Sequence, residues 1–178
     1  MLSLLSAMSS AKQLTRSSTK LPRLDPTDLI KPIYQDFVRA LKQTAFKGEV
    51  NSQYSSRLSV ATDNSVYQQL PQLILHPRTK QDVQTITELS SQARFSEIKF
   101  SARGGGTGTN GQSLTPGIVI DLSKYMNRIL EINVEENWVK VEAGVVKDQL
   151  NDFLRPHGFF FSPDLSTSNR ATIGGMIN

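Results

Sequence analysis

The sequence predicts an α+β domain: a unit containing a strand–helix–strand succession, followed by a mostly antiparallel sheet with helices. Three observations carry that expectation. A short apolar run, a capped amphipathic stretch and a second apolar run follow one another within about thirty residues, the size of a βαβ unit. A cluster of five glycines comes directly after the second run. Beyond it, two extended segments flank a polar turn, which is the pattern of an antiparallel hairpin.

Composition narrows what such a domain can do. The 178 residues hold 20 Lys or Arg against 16 Asp or Glu, a formal net charge of +4. Lys12, Arg16, Lys20 and Arg23 are the only charged side chains before Asp25, and they account for the whole excess. Residues 25–178 are therefore balanced, whereas a nucleic-acid face concentrates basic charge on a folded unit. No nucleic-acid partner is expected. No apolar run approaches the roughly 20 residues needed to cross a bilayer, so no transmembrane segment is expected either. With no cysteine, the chain has no disulfide, thiolate nucleophile, zinc finger or Cys-ligated iron–sulfur cluster of its own.

Residues 1–24 are Ser-rich and basic without an acidic residue, the composition of a disordered extension or an organellar transit peptide. Met1–Met8 is apolar but precedes the positive charges, the reverse of a secretory signal. A cytoplasmic location is expected, with an organellar target left open.

Residues 25–70 are expected to hold one helix and an ordered loop. Pro32 suits a first helical turn, Ile33, Phe37, Leu41 and Ala45 recur every fourth residue, and Gly48 follows. The polar stretch from Asn51 to Gln69, including ATDNSVYQQ, lacks periodicity and reads as the loop. Within it Asp63 and Asn64 have no metal-ligand partner nearby and read as loop-ordering residues.

Residues 71–178 form the main expected unit. Leu73, Ile74 and Leu75 make a strand closed by Pro77, and Thr79 with Asp82 forms a capping box ahead of Val83, Ile86, Leu89 and Ala93. A second strand is expected at Ile98–Phe100, parallel to the first, and a third at 118–122. Residues 129–134 and 138–142 make the hairpin around Glu135, Glu136 and Asn137. Val146, Leu150, Phe153 and Leu154 mark a helix stopped by Pro156 and Gly158. Phe159, Phe160 and Phe161 read as a buried strand. The polar, hydroxyl-rich tail carries a glycine pair, Gly174 and Gly175, readable either as a cofactor-holding segment or as a surface loop leading to a strand. With no closing element after Ile177, the domain is expected to be truncated at its C-terminal end.

The sharpest chemical signal is the run Arg103-Gly104-Gly105-Gly106-Thr107-Gly108-Thr109-Asn110-Gly111 at the end of a strand. Glycines let a ligand approach the backbone and let successive N–H groups converge on one anion. A simple turn needs one or two glycines; five point to a phosphate or pyrophosphate. Gly106, Gly108 and Gly111 satisfy G-x-G-x-x-G, but a dinucleotide fingerprint must open a helix, and here Pro116, Gly117 and a strand follow. Gln112 stands where the lysine of a nucleoside-triphosphate loop belongs. Arg103 could pair with a phosphate or anchor the loop to Asp121 or a carbonyl. His76 and His157, the two histidines, read as structural or surface residues.

Five segments occur in an order that resembles the FAD-binding domain of the vanillyl-alcohol-oxidase/p-cresol-methylhydroxylase (PCMH-type) superfamily. They are Pro77 before a helix, the 103–108 loop, Ile120-Asp121-Leu122-Ser123 with Met126-Asn127, Val141-Glu142-Ala143-Gly144-Val145, and Ala171-Thr172-Ile173-Gly174-Gly175. The resemblance covers residues 28–178. ATDNSVYQQLP and RGGGTGTNGQ are most similar to the bacterial FAD-linked D-2-hydroxyglutarate dehydrogenases of the long type. It implies a PCMH-type fold of two subdomains with non-covalent FAD between them, because Thr107 matches the position of the flavin-linked histidine in covalent relatives. Gly104, Gly105, Gly106, Thr107, Gly108 and Thr109 would wrap the pyrophosphate, Pro77 would lie near the adenine, and Ser166, Thr172, Ile173, Gly174 and Gly175 would follow the ribityl chain and flavin. It implies oxidation of a D-2-hydroxy acid to a 2-keto acid, with electrons leaving to an acceptor that the sequence does not identify. The family's substrate domain and iron–sulfur region have no counterpart in these 178 residues. A non-catalytic fragment of the fold, or a generic nucleotide-binding α/β domain, is the alternative expectation.

Overall fold

The computed structural model describes residues 29–178; the leader expected at 1–24 lies outside them. Helix α1 (Pro32–Leu41) starts with Pro at its first turn and buries Tyr34, Phe37 and Leu41 along one face. That face follows from the four-residue spacing. Ala45 lies beyond the helix, in the turn leading to Gly48.

The segment expected as a plain loop holds two elements, strand β1 (Glu49–Asn51) and helix α2 (Tyr54–Ser59). Both escape periodicity for a physical reason. Strand β1 has three half-buried residues, and the buried residue of α2 is Arg57, whose guanidinium donates to the Pro71 carbonyl at 3.2 Å. Neither leaves an apolar stripe to read.

Strand β2 (Leu73–His76) is buried throughout, and the capping box opens α3 (Lys80–Ser90) as expected. Asp82 does more than cap. Its carboxylate accepts from the backbone N–H groups of Lys47 (2.7 Å), Arg78 (2.8 Å) and Thr79 (3.1 Å), joining the α1–β1 turn to the start of α3. Strand β3 is Phe100–Arg103, later than expected, because the Ile98 N–H closes a turn on Phe95. Strand β4 is Ile118–Asp121.

These strands form one sheet in the order β1-β2-β4-β3. Strand β1 pairs antiparallel with β2, while β4 runs parallel to both β2 and β3, between them. The strands of the βαβ unit are thus parallel but not neighbours, since the third apolar strand is inserted in the centre. The carboxyl ends of β2, β3 and β4 share one edge, where ligands of such sheets bind. The core beneath joins Phe37 and Leu41 of α1, Leu73 and Leu75 of β2, Ile86 and Leu89 of α3, and Ile118 of β4.

Strands β5 (Ile129–Asn133) and β6 (Trp138–Val141) make the expected antiparallel hairpin, with Asn137 at φ 58° in its turn. Arg128 braces its base on the Glu142 carboxylate through its backbone N–H, Nε and Nη2. Helix α4 (Lys147–Leu154) ends in a 3-10 turn closed by Gly158 at φ 78°. The strand expected at Phe159–Phe161 does not form. Asn151 takes the Phe161 N–H (2.7 Å) and donates to its carbonyl (3.4 Å), and Phe160 is 73% exposed. The side chain of α4 supplies the partners a neighbouring strand would. The Gly174-Gly175 pair belongs to a short helix, α5 (Ile173–Ile177), rather than to a loop.

Candidate functional site

At the carboxyl edge of the parallel strands the chain leaves β3 as the glycine loop. Its position is fixed from below by Arg103, whose guanidinium donates to the carbonyls of Thr62 (2.9 Å) and Val60 (3.4 Å) and to Ser113 Oγ (3.2 Å). Ser113 in turn donates to Asp63 (3.2 Å), and the Asn64 N–H donates to the Gly108 carbonyl (3.1 Å). The polar segment 60–64 therefore clasps the loop. Burial alone would raise the pKa of Asp63, but hydrogen bonds from Ser65 and Ser113 and the charge of Arg103 outweigh it and hold the carboxyl below its ordinary value. Of the two readings left open for Arg103, its bonds are to backbone carbonyls and a hydroxyl.

The two glycine-bearing segments singled out by the sequence meet here. Gly104 packs on the Thr172 side chain, and a Cβ on Gly105 would overlap the carbonyl of Arg170. Gly106 has φ +63° and faces the Arg103 guanidinium, so both conformation and space call for glycine. Ala143 and Val145 hold the second segment from the other side, accepting from the N–H groups of Gly174 (2.9 Å) and Ile173 (2.8 Å). Gly144 is anchored on the Met126 carbonyl (2.8 Å). Segments 103–109, 122–127, 141–146 and 170–175 thus converge.

Between them opens a cavity of about 310 Å³. Its walls include Gly105 and Thr172, together with Ser123, Asn127, Gln149 and Arg170. Among the described residues, the N–H groups of Gly104, Gly105, Gly106, Thr107, Gly108 and Thr109 meet no protein acceptor. Six consecutive donors without a partner, beside a polar cavity, make a cradle for an anion.

Other sequence-predicted residues are less central. Pro77 is buried at the end of β2 and Ser166 is exposed in the turn before Arg170; neither lines the cavity. Ile173 is buried against Val145, Leu150 and Leu154 as a core residue. Ser123, Asn127 and Gly144 line the cavity and stood inside segments that carried the resemblance, so that signal could have found them. Gln149 and Arg170 had no such signal. His76 is buried, its Nδ1 3.7 Å from Asp121, and His157 is the last residue of the 3-10 turn after α4.

Residues 71–178 match the protein family described as FAD binding domain. The chain is 59% identical over 145 residues, 82% of its length, to the D-2-hydroxyglutarate dehydrogenase of Pseudomonas putida, and 56% identical over 158 residues, 89% of its length, to that of Haemophilus influenzae. It spans 14% and 15% of those two proteins. Among solved structures, an alkyldihydroxyacetonephosphate synthase superposes over 80% of this chain and 28% of its own, with a TM-score of 0.69 and 20% identity. p-Cresol methylhydroxylase superposes over 75% of this chain and 26% of its own, with a TM-score of 0.57 and 19% identity. The fold is the PCMH-type FAD-binding fold.

Proposed function

The chain belongs to the FAD binding domain family, and on that premise we propose that its glycine loop holds the diphosphate of non-covalently bound FAD in a flavoprotein that oxidises a D-2-hydroxy acid, D-2-hydroxyglutarate, to the 2-keto acid. The observation that carries the first part is the row of six partnerless N–H groups from Gly104 to Thr109. The second part is supported by identity to enzymes named for that substrate.

The residues fit the cofactor. A diphosphate needs a row of unengaged donors, which the N–H groups from Gly104 to Thr109 offer. Arg103, Asp63 and Ser113 hold those donors in place before the ligand arrives, so little order is lost on binding. Gly144 and Thr172 line the opposite wall of the cavity, where the ribityl chain and flavin would lie, while Gly174 packs on Ala143. Thr107 offers no nucleophilic imidazole for a covalent link. Pro77, at the same sheet edge, would face the adenine end. Bound FAD supplies the acceptor for the hydride from the substrate carbon. The substrate-binding groups, and any iron–sulfur cluster that carries electrons onward, would belong to parts of a longer protein outside these residues, since the chain spans 14% and 15% of two such relatives. No helix among the described residues is long and apolar enough to cross a membrane.

The test is flavin retention. Gly105→Val puts a branched side chain against the Arg170 carbonyl and should abolish the bound flavin absorbance expected of the unsubstituted protein. Equal FAD affinity in both proteins, measured by fluorescence titration, would remove the glycine loop from the site.

A further inference from the structure

We propose that Arg170 is the cationic partner of the cofactor diphosphate, a role that rests on reading Gly104–Thr109 as the diphosphate cradle. The loop offers backbone dipoles but no full charge, and Arg103, the adjacent cation, gives its guanidinium hydrogen bonds to Thr62, Val60 and Ser113. Three cations in or next to the converging segments are engaged with carboxylates. Lys124 pairs with Glu49 at 2.7 Å, Arg128 with Glu142 at 2.8 Å, and Lys147 faces Asp164 at 3.8 Å.

Arg170 differs on each count. It lines the cavity together with Gly105, and among the described residues its side chain has no hydrogen bond or ion pair. Its backbone is fixed: the N–H donates to Thr167 at 2.9 Å, and the carbonyl packs where Gly105 lacks a side chain. The guanidinium is thus carried on an anchored turn directly against the glycine loop. No carboxylate lines the cavity, while Asn127, Gln149 and Asn169 do. One cation among amides and hydroxyls is a lining suited to an anion. A guanidinium also matches two phosphate oxygens in one plane, which adds orientation as well as attraction.

FAD titration of the protein, of Arg170→Gln and of Arg170→Lys, at low and high ionic strength, tests this. A charge-assisted contact predicts about a tenfold to hundredfold weaker affinity for Arg170→Gln. It also predicts a shallower dependence on salt, with both partly restored in Arg170→Lys. The melting temperature of the cofactor-free protein should not move. Unchanged affinity and salt dependence in Arg170→Gln, while Gly105→Val still abolishes binding, would overturn this role and leave the cradle standing. A lowered melting temperature of the cofactor-free Arg170→Gln protein, with salt dependence unchanged, would make Arg170 a structural residue and also overturn it. If the unsubstituted protein binds no FAD, the cradle and Arg170 fall together.

Discussion

The two halves of the molecule hold their elements in different ways. In the sheet half, α1 and α3 pack on a four-stranded sheet, and Phe37, Leu41, Leu73, Leu75 and Ile118 are wholly buried. In the hairpin half, the buried cluster between the strands, α4 and α5 consists, among the described residues, of Val145, Leu150, Leu154 and Ile173. Trp138 and Leu130 remain 40% and 48% exposed there. The candidate site lies across both: the glycine loop and its Arg103 clasp belong to the first half, and Gly144, Thr172 and α5 to the second. The more deeply buried half thus positions the donors, and the more thinly packed half completes the cavity.

Truncating one core residue in each half breaks or sharpens that contrast most directly. Phe37 is fully buried, with edge-on contacts to Phe95 and Phe100 at centroid distances of 5.1 and 5.5 Å. Its surroundings are closed on every side, so Phe37→Ala should destabilise by about 3–5 kcal/mol in urea unfolding. Leu150 packs among half-buried neighbours such as Ile129 and Phe159. A site of that kind relaxes more readily, and Leu150→Ala should lie near the lower end of the roughly 2–5 kcal/mol range. Equal losses would show that the two cores are equally closed.

A smaller effect separates a cap from a junction within the sheet half. Thr79→Ala removes one side of the capping box and should cost about 1 kcal/mol. Asp82→Ala should cost more, about 2–3 kcal/mol, because it strips the acceptor from the Lys47 and Arg78 N–H groups as well as from Thr79. If the two variants unfold at the same denaturant concentration, Asp82 acts only as a cap.

What the sequence revealed follows the same division. The elements of the sheet half that bury an apolar face, namely α1, β2, α3 and β4, were legible because a buried face leaves a period. Their spatial order was not, since nothing in a linear pattern says that β4 enters between β2 and β3. Elements held by polar contacts were misread: Arg57 hid α2, and the Asn151 side chain took the place of a strand partner for Phe161. In the site, the glycine loop stood out because only glycine permits such close approach, whereas the Gly174-Gly175 pair read equally as a cofactor segment or a surface loop and its packing on Ala143 was not visible. Arg170 was invisible, for its significance comes from what its neighbours are already bonded to.

The smallest expected effect concerns pH and lies at the same sheet edge. His76 ends β2 with Asp121 of β4 3.7 Å from its Nδ1, Tyr125 edge-on at 6.4 Å, and Glu49 and Lys124 nearby. Burial, helped by Lys124, lowers its pKa below the ordinary histidine value against the opposing pull of Asp121 and Glu49. The unfolded chain therefore binds the proton more readily than the folded one. Stability from this group is fully present above about pH 6.5. It is lost as the pH falls through the lower folded value. Glu49, Asp63 and Glu142 are held below their ordinary values, so their contributions persist until more acidic conditions, below about pH 4.5. Urea midpoints measured between pH 7.5 and 5 should thus decline in the unsubstituted protein and flatten in His76→Gln. A decline of the same slope in both would move the proton-linked group elsewhere and leave His76 as packing alone.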